Sequence, residues 1–120
     1  MPKAIVTIFA GRWNRLSIVM KYLLLALQSN IIQEVHLWDY CRDAIDREDL
    51  NLRYEHREHE GIFVKKKYTF EAWYDYYEYY DVHGQAHPED VIMKCDDDVV
   101  FIDIDHLNEF IEAIRWNEDT

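Results

Sequence analysis

Residues 4–9 read AIVTIF, a short run of apolar and β-branched residues that is typical of a buried strand. Gly11 ends the run, and the residues after it carry leucines at helical spacing. Ser29 and Asn30 end that helix, and residues 31–40 predict a second strand. The chain therefore opens as strand, helix, strand, which is how an α/β fold begins.

The rest of the chain continues this alternation. Residues 43–59 carry Asp and Arg at i,i+4 spacing and predict a solvated helix. Strands are predicted at Ile62–Lys66 and Val91–Cys95, with an aromatic helix and a loop at residues 83–88 between them. We expect Asp103 to cap a last helix. The pattern predicts one domain, residues 1–120, with a mostly parallel sheet of about four strands in the order 3-2-1-4 and helices on both faces.

The predicted helices carry apolar stripes that we expect to pack on the sheet. The first helix has two stripes, and the second one, with Ile18 and Leu25, predicts an exposed apolar face and self-association. The stripe of the last helix consists of Leu107, Phe110, Ile111 and Ile114. In the aromatic helix we interpret one stripe as core, namely Phe70, Trp73, Tyr74 and Tyr77. Tyr76, Tyr79 and Tyr80 lie off that stripe and could face a partner or a further domain.

The composition excludes several classes of protein. The 120 residues include 13 Lys and Arg against 24 Asp and Glu, a net charge of −11. Such a chain has no basic face for general binding of nucleic acid or anionic membranes. No apolar run approaches the roughly 18 residues of a membrane span, and no signal peptide is recognisable. An acidic protein that binds a phosphorylated ligand requires a divalent cation to offset the repulsion.

The two cysteines, Cys41 and Cys95, lack the spacing of metal ligands. In the order 3-2-1-4 they follow strands that flank the first strand, so they lie about 10 Å apart and a disulfide is not expected. Free cysteines favour a reducing compartment, and we expect a cytoplasmic protein.

Three consecutive carboxylates, Asp96, Asp97 and Asp98, follow the fourth strand directly. Their repulsion calls for a cation or hydrogen-bond donors, and an oxygen-only cluster suits Mg²⁺ or Mn²⁺. The simpler interpretation is a solvated turn before the last helix. An EF-hand loop is excluded, because its required glycine and glutamate would fall on Phe101 and Leu107.

Residues 91–105, VIMKCDDDVVFIDID, resemble the DxD region of glycosyltransferases of the GT-A fold. The opening of the chain is similar to that fold as well. It has a strand, a loop of small residues at Ala10 and Gly11, a long helix and a second strand that ends in Asp39. The resemblance implies a GT-A-like, Rossmann-like domain that binds a nucleoside diphosphate sugar, such as a UDP- or GDP-sugar.

The resemblance also assigns roles to individual residues. It implies that the nucleotide is contacted by Ala10, Gly11 and Arg12, and that Asp39 contacts the base or ribose. It implies that Asp98 binds the metal that bridges the diphosphate. Asp96 and Asp97 bind either ribose or the metal, with Asp96 the second candidate metal ligand. The cofactor implied is Mn²⁺ or Mg²⁺.

The sequence departs from the GT-A pattern after the aspartates, because only one helix follows them. The missing part normally holds the acceptor and supplies a further metal ligand and the catalytic base. No residue here can be assigned that base, and the glycan or other acceptor is not identified. We therefore expect the nucleotide-binding half of an enzyme, completed by a C-terminal half or by a second copy. A non-catalytic binding or assembly module and an Asp-x-Asp phosphotransferase are the alternatives.

Other polar residues have spacings that allow a functional role. The pairs His56 and His59, and His83 and His87, are spaced for metal binding on a helix, although surface positions are favoured. His106 could also bind a metal, although a surface position is favoured for it as well. Arg15 lies at the start of the first helix, where it could meet an anion.

Overall fold

The computed structural model describes residues 2–11, 13–39, 41, 44–66, 72–95 and 102–117. Four strands and four α-helices alternate along these residues, with one short 3₁₀ helix before the third strand. In chain order they are β1 Ala4–Ala10, α1 Trp13–Gln28, β2 Glu34–Asp39, α2 Ala44–Tyr54, the 3₁₀ helix Glu58–Glu60, β3 Ile62–Lys66, α3 Ala72–Ala86, β4 Val91–Cys95 and α4 Ile104–Asn117.

The four strands form one parallel sheet in the order β3-β2-β1-β4. Ile8 of β1 lies opposite Leu37 of β2 on one side and Cys95 of β4 on the other. Leu37 in turn lies opposite Val64 of β3. This confirms the predicted α/β class and the order 3-2-1-4. Because the strands are parallel, their carboxyl ends meet at one edge of the sheet, and the strand order reverses beside β1.

One face of the sheet forms an apolar core with α1, α2 and α4. The strands contribute every second side chain to it, as Val35 and Leu37 of β2 illustrate. From the helices the buried contributors include Leu16, Met20, Leu23, Leu50 and Ile111. The predicted stripes of α1 and α4 are thus confirmed where they meet the sheet. Phe110 is an exception, since it is 56% exposed.

The opposite face of the sheet lies under α3 and is aromatic. Tyr76 and Tyr80 of α3 pack with Trp38 of β2 in a second buried cluster, with Phe9 at its margin. The predicted stripe of α3 is therefore wrong at Tyr77, which is 58% exposed. Phe70 lies outside the described residues, as do the side chains of Trp73 and Tyr74.

Several predicted boundaries also shift, each for a local reason. Strand β2 begins at Glu34 rather than at residue 31, because the N–H groups of Ile31 and Ile32 donate to the carbonyl of Ala26 and complete the end of α1. Helix α3 continues through Ala86, within the predicted loop, and ends just before Pro88.

The segment predicted as one helix at residues 43–59 contains two. Helix α2 ends at Tyr54, His56 adopts a left-handed conformation with φ 69°, and the 3₁₀ helix follows. Gly61 then turns the chain into β3 with φ 86°. A Cβ at position 61 would lie 2.6 Å from the carbonyl oxygen of Gln33, so only glycine fits this turn without strain.

Two predictions about the helices are confirmed, one at the start of α4 and one on the outer surface of α1. Oδ1 of Asp103 accepts the N–H groups of Asp105 and His106, at 3.1 and 3.3 Å, so the predicted cap of α4 is confirmed. Ile18 and Leu25 of α1 are exposed, as the second apolar stripe predicts. Among the helices in the described ranges, none is both long and apolar enough to cross a membrane.

Candidate functional site

The carboxyl edge of the sheet brings the ends of three strands together. Ala10 at the end of β1 lies opposite Asp39 at the end of β2, and both are buried. On the other side of β1, Cys95 ends β4 opposite Ile8. Two of the residues predicted to contact a nucleotide, Ala10 and Asp39, are therefore neighbours at this edge, and the chain passes from Ala10 directly to Gly11.

Asp39 is a buried carboxylate with protein donors on both oxygens. Its Oδ1 accepts the backbone N–H of Cys41 at 3.2 Å, and its Oδ2 accepts Nε of Arg47 at 3.1 Å. Nη2 of Arg47 also donates to the carbonyl of Cys41 at 2.9 Å, so this guanidinium clamps the chain between β2 and α2.

Cys41 joins the ends of β1 and β2. Its Sγ donates to the carbonyl of Ala10 at 3.3 Å. Burial, reinforced by the charge of Asp39, raises the pKa of the Cys41 thiol to about 12. At neutral pH Cys41 is therefore a protonated structural donor rather than a nucleophile. Cys41 and Cys95 are both free, which confirms that they do not form a disulfide.

The remaining predicted site residues, Arg12, Asp96, Asp97 and Asp98, lie outside the described residues. Their assignments to nucleotide and metal stay predictions. Within the described part of the chain, no group of three or more His, Cys, Asp and Glu side chains is arranged to hold a metal ion. The structure does fix the strand that leads into the aspartates, since β4 ends at Cys95 beside β1.

A second polar arrangement, which the sequence did not predict, lies under α3. Glu34 Oε2 binds Nζ of Lys3 at 2.7 Å, and its Oε1 lies 2.8 Å from Nε2 of the buried His36. Nδ1 of His36 contacts the hydroxyl of Tyr80, and Nε1 of Trp38 donates to that same hydroxyl at 3.0 Å. These five side chains form one hydrogen-bonded chain, which we call the buried network.

The proton positions in the buried network follow from its charges. The hydrogen bond from His36, with help from Lys3, lowers the pKa of Glu34 to about 2, so Glu34 is ionised at neutral pH. Burial lowers the pKa of His36 and keeps the ring neutral. Nε2 of His36 therefore carries the proton that Glu34 accepts, and Nδ1 accepts the hydroxyl proton of Tyr80.

The sequence did contain a signal for this network. Strand β2 reads EVHLWD, and the residues at every second position, Glu34, His36 and Trp38, are all able to form hydrogen bonds. Such alternation predicts that one face of a strand is polar although the strand lies inside the sheet. The sequence of β2 does not indicate which residue of α3 completes the network, namely Tyr80.

Two of the histidines considered as metal ligands, His83 and His106, each bind a nearby aspartate. Nε2 of His83 binds Oδ2 of Asp90 at 2.9 Å, and the His83 side chain is partly buried. Nδ1 of His106 binds Oδ2 of Asp103 at 2.8 Å on the exposed start of α4, as a surface residue would. His83 and His87 are adjacent, with ring centroids 5.0 Å apart.

An open groove lies beside the buried network, between α3 and β3. Its volume is about 750 Å³, and Trp38, Lys65, Tyr79, Val82 and His83 are among the residues that line it. The groove is separate from the contacts of Asp39, although Trp38 immediately precedes that residue.

Comparison of the chain with protein-family models, with curated proteins and with solved structures found no match in any of the three.

Proposed function

We propose that this chain binds a nucleoside diphosphate sugar at the carboxyl edge of its sheet, as the donor-binding half of a metal-dependent glycosyltransferase. The observation that supports this most directly is the strand order. Because β1 lies between β2 and β4, the end of β1 has Asp39 on one side and the strand leading to the three aspartates on the other. Open parallel sheets bind ligands at such a reversal of strand order.

The proposed metal site consists of Asp98 and Asp96, with Asp97 free to bind ribose. Carboxylate oxygens are the ligands that Mg²⁺ and Mn²⁺ prefer, and three of these side chains follow one another in the sequence. When bound, the cation neutralises the charge that develops on a diphosphate leaving group. With a net charge of −11, the chain needs that cation to hold an anionic donor.

Asp39 is proposed to orient the nucleotide. The Cys41 N–H and the Arg47 guanidinium hold its carboxylate in one position at the end of β2. A ribose hydroxyl or a base N–H of the nucleotide would donate to this carboxylate. Ala10 and Gly11, which have no bulky side chains, let the nucleotide approach the backbone at the end of β1.

Transfer of the sugar also requires a catalytic base, which we assign to a C-terminal half or to a second copy of the chain. The exposed apolar residues of α1, Ile18 and Leu25, are available for such an association. The proposal includes a cytoplasmic setting, since both cysteines are free thiols.

Isothermal titration calorimetry with UDP-glucose and GDP-mannose, with Mn²⁺ or with EDTA, tests the proposal. We expect binding of one donor that requires Mn²⁺, and a loss of affinity of at least about tenfold in Asp98→Asn. Asp103→Asn is the matched control, because asparagine caps a helix as well as aspartate does and this position lies outside the triplet. Its affinity for the donor should equal that of the parent chain.

Three results separate the proposal from its alternatives. Slow release of free nucleotide identifies an enzyme, whereas donor binding without release identifies a non-catalytic module. A phosphoaspartate trapped on the triplet would replace the proposal with a phosphotransferase. Absence of Mn²⁺-dependent binding of either donor would overturn the proposal.

A further inference from the structure

The groove between α3 and β3 has the size of a small-molecule site and is not used by the proposed donor. Its volume of about 750 Å³ falls within the roughly 300–1,000 Å³ that is usual for ligand pockets. Trp38 and Val64 belong to strands β2 and β3, and Tyr79 and Val82 supply apolar surface from α3. Val82 is largely exposed, so this surface is accessible from solvent.

The polar groups of the groove include both donors and acceptors. The lining residues include two carboxylates, Asp75 and Glu78, and two histidines, His83 and His87, of which His83 binds Asp90 through Nε2. The ammonium of Lys65 donates to the Tyr79 hydroxyl at 2.9 Å and lies 4.5 Å above the ring centroid. Its charge is thus directed at the protein, and the two carboxylates make the groove unfavourable for anions.

The groove begins at the same edge of the sheet as the proposed donor site. Asp75 lies in the first turn of α3, and Trp38 immediately precedes Asp39 on β2. Since α3 follows a parallel strand and returns along the sheet, its first turn lies at the carboxyl edge. A ligand that extends along α3 from Asp75 towards His87 would therefore have one end near Asp39.

We propose that this groove binds a neutral saccharide, the acceptor of the sugar, an assignment that rests on the proposed function. Saccharide hydroxyl groups donate to carboxylates such as Glu78 and accept from histidine, while the C–H faces of the sugar rings cover Tyr79 and Val82. The groove offers this mixture of groups, and its two carboxylates disfavour phosphorylated or acidic acceptors.

NMR titration of the ¹⁵N-labelled chain with lactose, cellobiose, maltose and N,N′-diacetylchitobiose, each at millimolar concentration, tests this inference. We expect at least one of them to shift the amide signals of Lys65 and of α3 from Asp75 to Ala86. Val82→Trp should fill the groove and abolish the shifts. Leu52→Trp is the matched control, because Leu52 is an exposed residue of α2 outside the groove and the shifts should persist.

The charge of the ligand provides a second test. The anionic hyaluronan disaccharide should bind at least about tenfold more weakly than the best neutral disaccharide. The inference is overturned if no neutral disaccharide shifts these signals, if the shifts persist in Val82→Trp, or if the anionic disaccharide binds equally well. Tighter binding of cationic chitobiose would overturn it too, in favour of a groove for cations.

The donor titration distinguishes this failure from failure of the proposed function. Val82→Trp should retain the Mn²⁺-dependent affinity for the donor, since the groove and Asp39 have separate contacts. Donor binding without saccharide-induced shifts would overturn only the inference that the groove binds the acceptor, and the proposed function would stand. Saccharide-induced shifts without donor binding would overturn the proposed glycosyltransferase function. The acceptor role of the groove would then be overturned as well, because it rests on that function.

Discussion

The two faces of the sheet are built from the same strands but are stabilised in different ways. Strand β2 sends Val35 and Leu37 to the apolar face under α1, α2 and α4, and it sends His36 and Trp38 to the face under α3. The apolar face is stabilised by the burial of apolar side-chain surface. The face under α3 is held by the buried network, in which each polar atom has a defined partner.

This difference predicts how each face responds to change. An apolar core tolerates substitutions that conserve volume, because dispersion and the hydrophobic effect have little directionality. A buried hydrogen-bonded chain is less tolerant, since removal of one group leaves its partners unsatisfied in a medium of low dielectric constant. The apolar face should therefore provide most of the stability, and the face under α3 should determine how that helix is oriented.

Leu37→Ala should have the largest effect on the apolar face. Leu37 is fully buried at the centre of the sheet, between Ile8 and Val64 on the neighbouring strands. Loss of its side chain removes apolar area and leaves a cavity, so we expect the free energy of unfolding to fall by about 3–4 kcal/mol. Urea denaturation followed by circular dichroism measures the change.

Leu52→Ala is the control for Leu37→Ala. Leu52 is 77% exposed on α2, so its truncation should change the free energy of unfolding by less than about 0.5 kcal/mol. Equal losses in the two variants would contradict the assignment of the core to this face.

Tyr80→Phe probes the other face without creating a large cavity. The substitution removes one oxygen, and it leaves Nδ1 of His36 without a donor and Nε1 of Trp38 without an acceptor. We expect a loss of about 2–3 kcal/mol in the same urea experiment. Tyr77→Phe, one turn earlier on the exposed side of α3, should be close to neutral. A neutral Tyr80→Phe would show that the buried network does not stabilise the fold.

The fold was predictable because its signals are local. Strand β1 is a short apolar run, and Ser29, Asn30 and Asp103 mark helix ends at the positions where the structure has them. The orientation of α3 was not predictable from periodicity. Both stripes of that helix are aromatic, and the choice between them depends on the partners of Tyr76 and Tyr80, namely Thr7 and His36, which lie more than 40 residues away in the chain.

The candidate site was predictable to a similar extent. The parallel order brings Asp39 to the end of β1, as expected from the alternation of strands and helices. The partner of Asp39 was missed, because i,i+4 spacing pairs Arg47 with Asp43, whereas Arg47 binds Asp39 across the loop. Asp43 itself lies outside the described residues. The groove was missed as well, since it forms between segments that are distant in sequence.

A difference in pH dependence between the two faces is the third and smallest expected effect. The titratable groups around the ring of His36 are Glu34 on β2, Lys65 on β3, and Tyr79, Tyr80 and His83 on α3. Burial is the main reason that the pKa of His36 is lowered, and the charge of Lys65 acts in the same direction. The apolar face has no comparable group among its described core residues.

The sign of the pH dependence follows from these shifts. His36 takes up a proton in the unfolded chain near pH 6.5 but only at lower pH in the folded protein, so its neutral form stabilises the fold above pH 6.5 and that contribution is lost as the pH falls. Glu34, whose pKa is about 2 when folded against 4.5 when unfolded, adds a further loss below pH 4.5.

Urea denaturation at intervals from pH 7.5 to 5 should therefore show the free energy of unfolding declining below pH 6.5, by at most about 1.4 kcal/mol per pH unit from His36. His36→Asn should reduce this slope, because an amide keeps a hydrogen-bond acceptor but does not titrate. Leu37→Ala should lower the whole curve and leave its slope unchanged, since it affects only the opposite face. Equal slopes in His36→Asn and the parent chain would mean that the ring of His36 has the same proton affinity folded and unfolded, and the neutral, network-bound ring inferred here would then be wrong.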